Sequence, residues 1–387
     1  MVISDSKMDA TESNTLVGAS RVALVHDYLT QFGGAERVLA SLHDLFPNAP
    51  VHTSLVDYDE LPPEFRSWTI SECFPHNIPA VLTFHRYLLP LYQPSFRKIG
   101  LTRDDADVVL ADSSAWAHNV GVSDDLPLVC YCHSPARFLY GDKDYLAPAR
   151  LPFGLEALTP VLFSGLRRTD RRAAKRVDRY IANSQTVAGR IRKEYGRESV
   201  VIYPPVDVET FATTGEPPAP EPWFLAVSRI VPHKRIDLVV ETCTRYGIPL
   251  KVIGTGRALD SLRKRAGPTI EFLGYCDDDV VADHLRRCRA FILPAAEDFG
   301  MTAVEAQAAG RPVIAYGAGG ALESVIPYET GLFFPLQTPE VLYETMQQFE
   351  KQQWDPARAI ANAARFNTVR FHREISMEIE IALSLRP

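Results

Sequence analysis

The stretch AFILPAAEDFGMTAVEAQAAG, residues 290–310, decides how this chain folds. Ala290 to Ala295 is an apolar run of strand length. A helix is expected to open within EDFGMTAVE and to stop at Gly310, ahead of Arg311 and Pro312. A strand passing into a helix through a short loop is one step of a βαβ unit. The loop carries Glu297 and Gly300, and the helix carries Glu305. Ionised carboxylates only accept hydrogen bonds, so two of them beside a glycine suit a polyhydroxylated ligand. The amides at the helix start suit an anion such as phosphate. An ordinary first-turn acid at Glu297 and a solvated helix residue at Glu305 fit the same letters.

The alternation extends outward in both directions. Strands are expected at 224–227, 250–253, 270–273, 291–293, 313–315 and 332–334, with helices at 236–246, 258–265 and 280–288 between them. Upstream, strands are expected at 21–25, 108–111, 128–132, 180–183 and 200–203, with a helix from Ala35 to Phe46. The residues from Glu60 to Gly100 are aromatic and proline-rich and suggest no regular element. The proline-rich TTGEPPAPEP, 213–222, separates the two blocks and can continue neither a helix nor a central strand. The expected fold is α/β, with two doubly wound, Rossmann-like domains facing a cleft and ligands bound beyond the carboxyl ends of the strands. The expected division is a disordered tail over 1–19, a first domain over 20–205, a linker over 206–222, a second domain over 223–365 and a final helical segment over 366–387.

Bulk properties narrow the function. With 387 residues the chain has material for two to three domains of about 150 residues each. It is 46% hydrophobic and 23% charged, the composition of an ordinary soluble protein. Its formal charge of -7 argues against a dedicated nucleic-acid binder. No apolar run approaches the ~18 residues that span a bilayer, and the polar start carries no signal core. Six scattered cysteines form no CxxC pair, which favours reduced cytoplasmic thiols over disulfides or zinc.

Further motifs fall where strands end. SRIVPHKRID, 228–237, places Arg229 and Lys234 in a strand-to-helix turn, where they could hold a diphosphate or form a solvated basic turn. VIGTGR, 252–257, offers Gly254 and Gly256 for close backbone approach. Gly33 and Gly34 precede the first helix, leaving its amides unhindered. His133, in CYCHSPARF, ends a strand and is either a ligand contact or a capping histidine. Gly317, Gly319 and Gly320 form another turn ahead of a helix. Arg167, Arg168, Arg171, Arg172, Lys175, Arg176 and Arg179 make a basic face, either solvated or directed at anionic lipid headgroups or a diphosphate-linked acceptor. The acids Asp142, Asp144 and Asp277 to Asp279 lack the company of a metal site.

The order of these motifs is more specific than any one of them. GGAE stands near the start, HSP midway through the first block, SRxxPxKxxD at the opening of the second, then GxG, ExFGxxxxE and a GG turn. In this series the chain closely resembles glycosyltransferase family 4, whose members are retaining enzymes of the two-domain GT-B fold. The resemblance is strongest between Phe224 and Pro335.

The resemblance implies transfer of a hexose from a nucleoside-diphosphate sugar, with no metal and no further cofactor. Carried onto this chain, Arg229 and Lys234 bind the diphosphate, Glu297 contacts the donor sugar and Glu305 the ribose. Amides near Phe299, Gly300 and Met301 close over sugar and phosphate. His133 meets the sugar near its C6 hydroxyl, Gly34 lets the first helix approach the phosphate, and the base lies against the loops after Gly254 and Leu273. The carboxyl-terminal helix, 369–385, crosses back onto the first domain. YCHSPARFLY resembles the HTPMRYxW run of mannosyltransferases that build bacterial surface polysaccharides, and departs from it at Ser134, Ala136, Phe138 and Tyr140. GDP-mannose is the favoured donor and a glycan or polyprenyl-linked acceptor the expected partner, at the cytoplasmic face of a membrane whose inner-leaflet anionic lipids the basic face would meet. An epimerase or phosphorylase of the same fold, or a non-catalytic sugar-nucleotide-binding protein, are the alternatives.

Overall fold

The computed structural model describes residues 20–74, 81–84, 88–141, 159–213, 215 and 217–386. The tail over 1–19 and the acids Asp142 and Asp144 lie outside them. The chain divides into two compact units, one running to Ile202 and resuming at Phe371, the other Tyr203–Arg370.

The first unit is built on a sheet of seven strands, β1 Val22–His26, β2 Val51–Thr53, β3 Ile70–Glu72, β4 Val108–Ser113, β5 Leu128–Cys132, β6 Arg179–Ala182 and β7 Val200–Val201, in the order β3-β2-β1-β4-β5-β6-β7. Every pairing is parallel. The central strands are apolar along most of their length because both faces are covered, and β1 and β4 turn polar only at their carboxyl ends, at His26, Asp112 and Ser113. Alternate side chains serve opposite faces: Ala23, Val25, Val109, Ala111 and Cys130 enter one core, and Val22, Leu24, Val108, Leu110 and Val129 the other. That second core is closed by the last helix, Thr368–Leu385, whose Phe371, Ile375, Ile379 and Ala382 are fully buried at helical spacing.

Two stretches depart from expectation. The 60–100 region contains β3 and a helix, Leu89–Ile99, in spite of its prolines. Pro90 falls in the first turn, where its missing N–H costs nothing, and Pro94 is carried inside by the burial of Tyr92, Gln93, Ser95 and Phe96. The 200–203 strand pairs only at Val200 and Val201 before Pro204 and Pro205 turn the chain away.

The second unit holds β8 Phe224–Val227, β9 Leu250–Ile253, β10 Ile270–Gly274, β11 Phe291–Leu293, β12 Val313–Tyr316 and β13 Gly331–Phe334, in the order β10-β9-β8-β11-β12-β13 and again all parallel. The order reverses beside β8, so the loops after β8 and β11 flank a topological switch point. The 206–222 segment, expected as a linker, is packed into this unit. Val206 and Phe211 are buried in its core, and Arg311, itself buried, donates to the carbonyls of Pro218 and Arg286. All six cysteines are free thiols. Among the described residues no helix is long and apolar enough to cross a membrane.

Candidate functional site

The loop after β8 runs from Ser228 to Arg235 and ends in a short turn, Pro232–Lys234. The loop after β11 carries Glu297. These neighbouring loops meet in a two-pronged contact: Lys234 Nζ donates to Glu297 Oε1 at 2.8 Å and to Oε2 at 2.6 Å. Both side chains remain partly open, at 20% and 16% exposure. Arg229 is exposed in the same loop. Arg235 adopts a left-handed conformation, φ 54°, that starts the Ile236–Tyr246 helix. Its guanidinium donates to Gln337 Oε1, and Gln337 Nε2 donates to the carbonyl of Pro294, at 3.1 and 2.7 Å. The Lys234 loop is thereby tied to the end of β11, a link absent from the sequence reading.

The glycines hold loops against one another. A Cβ on Gly254 would lie 1.9 Å from the Ser228 carbonyl oxygen, and one on Gly256 2.4 Å from that of Ile230. Gly254, expected to admit a ligand, thus admits the lysine-bearing loop. Gly319 and Gly320 do the same for the glutamate loop: their Cβ atoms would lie 2.2 Å from Glu297 O and from Phe299 Cα, and Gly320 N donates to Glu297 O. Gly300, at φ 90°, starts the helix Met301–Ala308. Phe299 turns inward against Tyr203 and Phe366, so only its backbone is available to a ligand. Glu305 lies nearly buried in that helix.

The first unit carries a different cluster at the carboxyl ends of three adjacent strands. The β1–β4 register sets His26 beside Asp112, and His133 follows β5. Asp112 bridges both histidines: Oδ2 to His26 Nδ1 at 2.8 Å, Oδ1 to His133 Nε2 at 2.6 Å. On its other side His26 faces Glu36 at 3.9 Å, and Glu36 accepts from the Gly33 amide at 2.8 Å. Gly33 caps the helix Gly34–Leu45, with Gly34 exposed at its first position. One chain of contacts therefore joins the GG turn to His133. Asp27 sits alongside, accepting from the amides of Ser114, Trp116 and Ala117 and fixing the loop after β4.

The cluster carries charge below the surface. Burial pulls the His26 imidazole down, but hydrogen bonds to Asp112 and Glu36, with the charges of both, outweigh it and raise it to about 10. Burial likewise opposes the charge of His133, which Asp112 nonetheless raises. Burial would raise Asp112 and Glu36, and their histidine partners lower both. The sequence singled out His133 and the GG turn, and missed His26 and Asp112. The available signal was a polar residue at the carboxyl end of an otherwise apolar strand.

The expected basic face is divided. The helix Thr159–Ala174 ends before Arg179, which begins β6 and pairs with Glu378. Arg167 donates to the Leu139 carbonyl and Arg171 pairs with Glu194. Arg168, Arg172 and Lys175 are exposed.

Two parallel α/β units with switch-point loops define a nucleotide-binding class of fold. The family models agree. Residues 32–210 match Glycosyltransferase Family 4 and residues 207–366 match Glycosyl transferases group 1. The chain belongs to this family of glycosyltransferases. It is similar to an uncharacterised glycosyltransferase of Methanocaldococcus jannaschii, 30% identical over 43% of this chain and 48% of that one. It is also similar to a GDP-mannose-dependent monoacylated alpha-(1-6)-phosphatidylinositol monomannoside mannosyltransferase of Corynebacterium glutamicum, 29% identical over 44% and 52% respectively. The chain spans about half the length of the curated relatives it matches. Among solved structures, Anabaena HepE in complex with UDP-glucose shares the fold, with a TM-score of 0.68 at 20% identity over 93% of this chain and 99% of that one. So does sucrose-phosphate synthase of Thermosynechococcus elongatus, with a TM-score of 0.68 at 18% identity over 94% and 100%.

Proposed function

We propose that the protein transfers a hexose from a nucleoside-diphosphate sugar to a glycan or lipid-linked acceptor with retention at the anomeric carbon, and that the donor is GDP-mannose. The observation that carries this reading is the Lys234–Glu297 contact at the switch point. Lysine and glutamate neutralise each other there while both stay reachable. A donor diphosphate would take the Lys234 charge and release the Glu297 carboxylate to accept from the sugar hydroxyls. Arg229 would add a second cation, and together the two would stabilise charge on the departing diphosphate without a metal. The front-face course follows: the leaving phosphate oxygen takes the acceptor proton, and the protein supplies position and electrostatics. The amides at the Gly300 turn would cover the phosphate, Glu305 would hold the ribose, and the base would lie by the loops after β9 and β10. His133, oriented by its Nε2 contact with Asp112, would meet a sugar oxygen.

Mannose as the sugar is supported by the mannosyltransferases among the relatives and by the HSPARF run. Titration calorimetry with free GDP and free UDP tests it. Binding of GDP is expected, and binding of UDP with none of GDP would overturn the mannose assignment. A product assay with labelled GDP-mannose and membrane extract tests transfer itself.

A further inference from the structure

The helices Leu89–Ile99 and Thr159–Ala174 of the first unit flank a cavity of about 340 Å³ above the short turn Ala117–Asn119. Arg97, Arg172 and Arg176 line it, and no carboxylate does. Arg176 uses one arm on the Val122 carbonyl, at 2.6 Å. Among the described residues, Arg97 and Arg172 make no ion pair. This contrasts with Arg167 and Arg171 on the same helix, which are absorbed by a carbonyl and a carboxylate. Three arginines share this lining, the nearest carboxylate, Asp170, lies beneath the floor and faces His118, and an anion in the cavity would offset the repulsion among the three cations.

The floor is built and buried. His118 and Asn119 line the cavity at 3% and 2% exposure. Asp170, wholly buried, holds His118 Nε2 at 3.1 Å and accepts from Tyr140 at 2.8 Å. Asn119 Nδ2 donates to the Trp116 carbonyl at 3.1 Å, which fixes the amide, and leaves Asn119 Oδ1 an acceptor with no partner among the described residues. A buried acceptor without a donor is costly.

We propose that this cavity is an anion site for a phosphate or diphosphate ester. The arginine forks match phosphate oxygens in pairs. The site is made of first-unit residues alone and stands independently of the transfer reaction. The same chemistry is offered by a soluble phosphoester and by a phosphate borne on a lipid.

The test titrates inorganic pyrophosphate into the full chain carrying Lys234→Ala, so that the second-unit loop does not contribute. Binding is expected to persist there and to weaken at least about tenfold on adding Arg97→Ala and Arg172→Ala. The exposed Lys351→Ala should change nothing. A parallel arm compares co-sedimentation with phosphatidic acid vesicles and phosphatidylcholine vesicles. Loss of pyrophosphate binding alone in the arginine variants identifies a soluble ester as the ligand. Loss of phosphatidic acid vesicle binding identifies a lipid-borne phosphate. If neither pyrophosphate nor vesicle binding depends on Arg97 and Arg172, the proposal is overturned. Both arginines are exposed, so the variants should fold, and an unchanged melting temperature checks this. Failure to bind any nucleotide sugar would defeat the transferase reading and leave this result untouched.

Discussion

In the second unit one lysine meets one glutamate across the mouths of two loops, each side chain open enough to exchange its partner. In the first unit His26, Asp112, Glu36 and His133 share a chain of contacts in which the first three are within 3% of full burial. The two arrangements use the same kinds of charge for different ends. An accessible pair loses little when broken, because water and ions replace the partner. A buried chain has no such substitute, so each member is committed to its neighbours. The accessible pair is therefore suited to bind and let go, and the buried chain to hold a fixed charge in place.

The largest effect that tests this contrast is Asp112→Ala. It removes the carboxylate that both histidines share and leaves the His26 imidazolium with only the more distant Glu36. Loss of roughly 3–5 kcal/mol is expected in denaturant unfolding. A loss below ~1 kcal/mol would mean that the cluster is as replaceable as a surface pair.

Next in size is the pH dependence of the same cluster. The His26 pKa is raised above its ordinary 6.5 to about 10, so its stabilisation is complete below 6.5 and disappears as the pH climbs towards 10. His133, also raised, contributes in the same direction. Asp112 and Glu36 are lowered, so their share is complete above 3.8 and 4.5 and disappears as the pH falls through their depressed values. Stability should be highest between roughly pH 5 and 6.5, and should fall on the alkaline side in the wild type. In His26→Asn the alkaline decline should flatten. An equal alkaline decline in that variant would remove His26 as its cause.

The accessible pair gives the converse result. Lys234→Ala is expected to cost less stability than Asp112→Ala and, on the proposed reading, to cut turnover by on the order of 10²-fold or more, because charge on a departing diphosphate would go unanswered. Turnover at the wild-type rate would detach Lys234 from the chemistry. A large loss of stability would place it among the committed groups instead.

This contrast also explains what the letters alone conveyed. β5, β8, β9, β11 and the helix Ile236–Tyr246 coincide with their sequence-based limits. A strand covered on both faces is apolar over most of its length, and the helix is closed by Gly247 at φ 66°. β2 and β3 escaped because, unlike the equally short but wholly apolar β11, they mix polar residues into three positions, and β3 is largely exposed at the sheet edge. Lys234 and Glu297 were visible because each lies inside a dense local motif. His26, Asp112 and His133 have no such local signal: 86 residues separate the first two and 21 the last two, and only parallel register unites them. The glycines were visible, but their reason was not, since the sequence cannot say whether a bare backbone faces a ligand or another loop.

Gly254→Ala addresses that last distinction and carries the smallest effect. The residue sits at φ 131°, and a methyl group would meet the Ser228 carbonyl at 1.9 Å, a distance no side chain tolerates. The backbone of one loop must then move, at a cost on the order of 1–3 kcal/mol. Either shift changes how the loop bearing Arg229 and Lys234 sits against the β9 loop, so donor affinity should weaken along with stability. Gly317→Ala is the matched control. Its Cβ would meet nothing nearer than 3.5 Å, so it should spare both quantities. If Gly254→Ala weakened donor binding with no loss of stability, the glycine would be serving the ligand directly and the packing between the β8 and β9 loops would not be its reason.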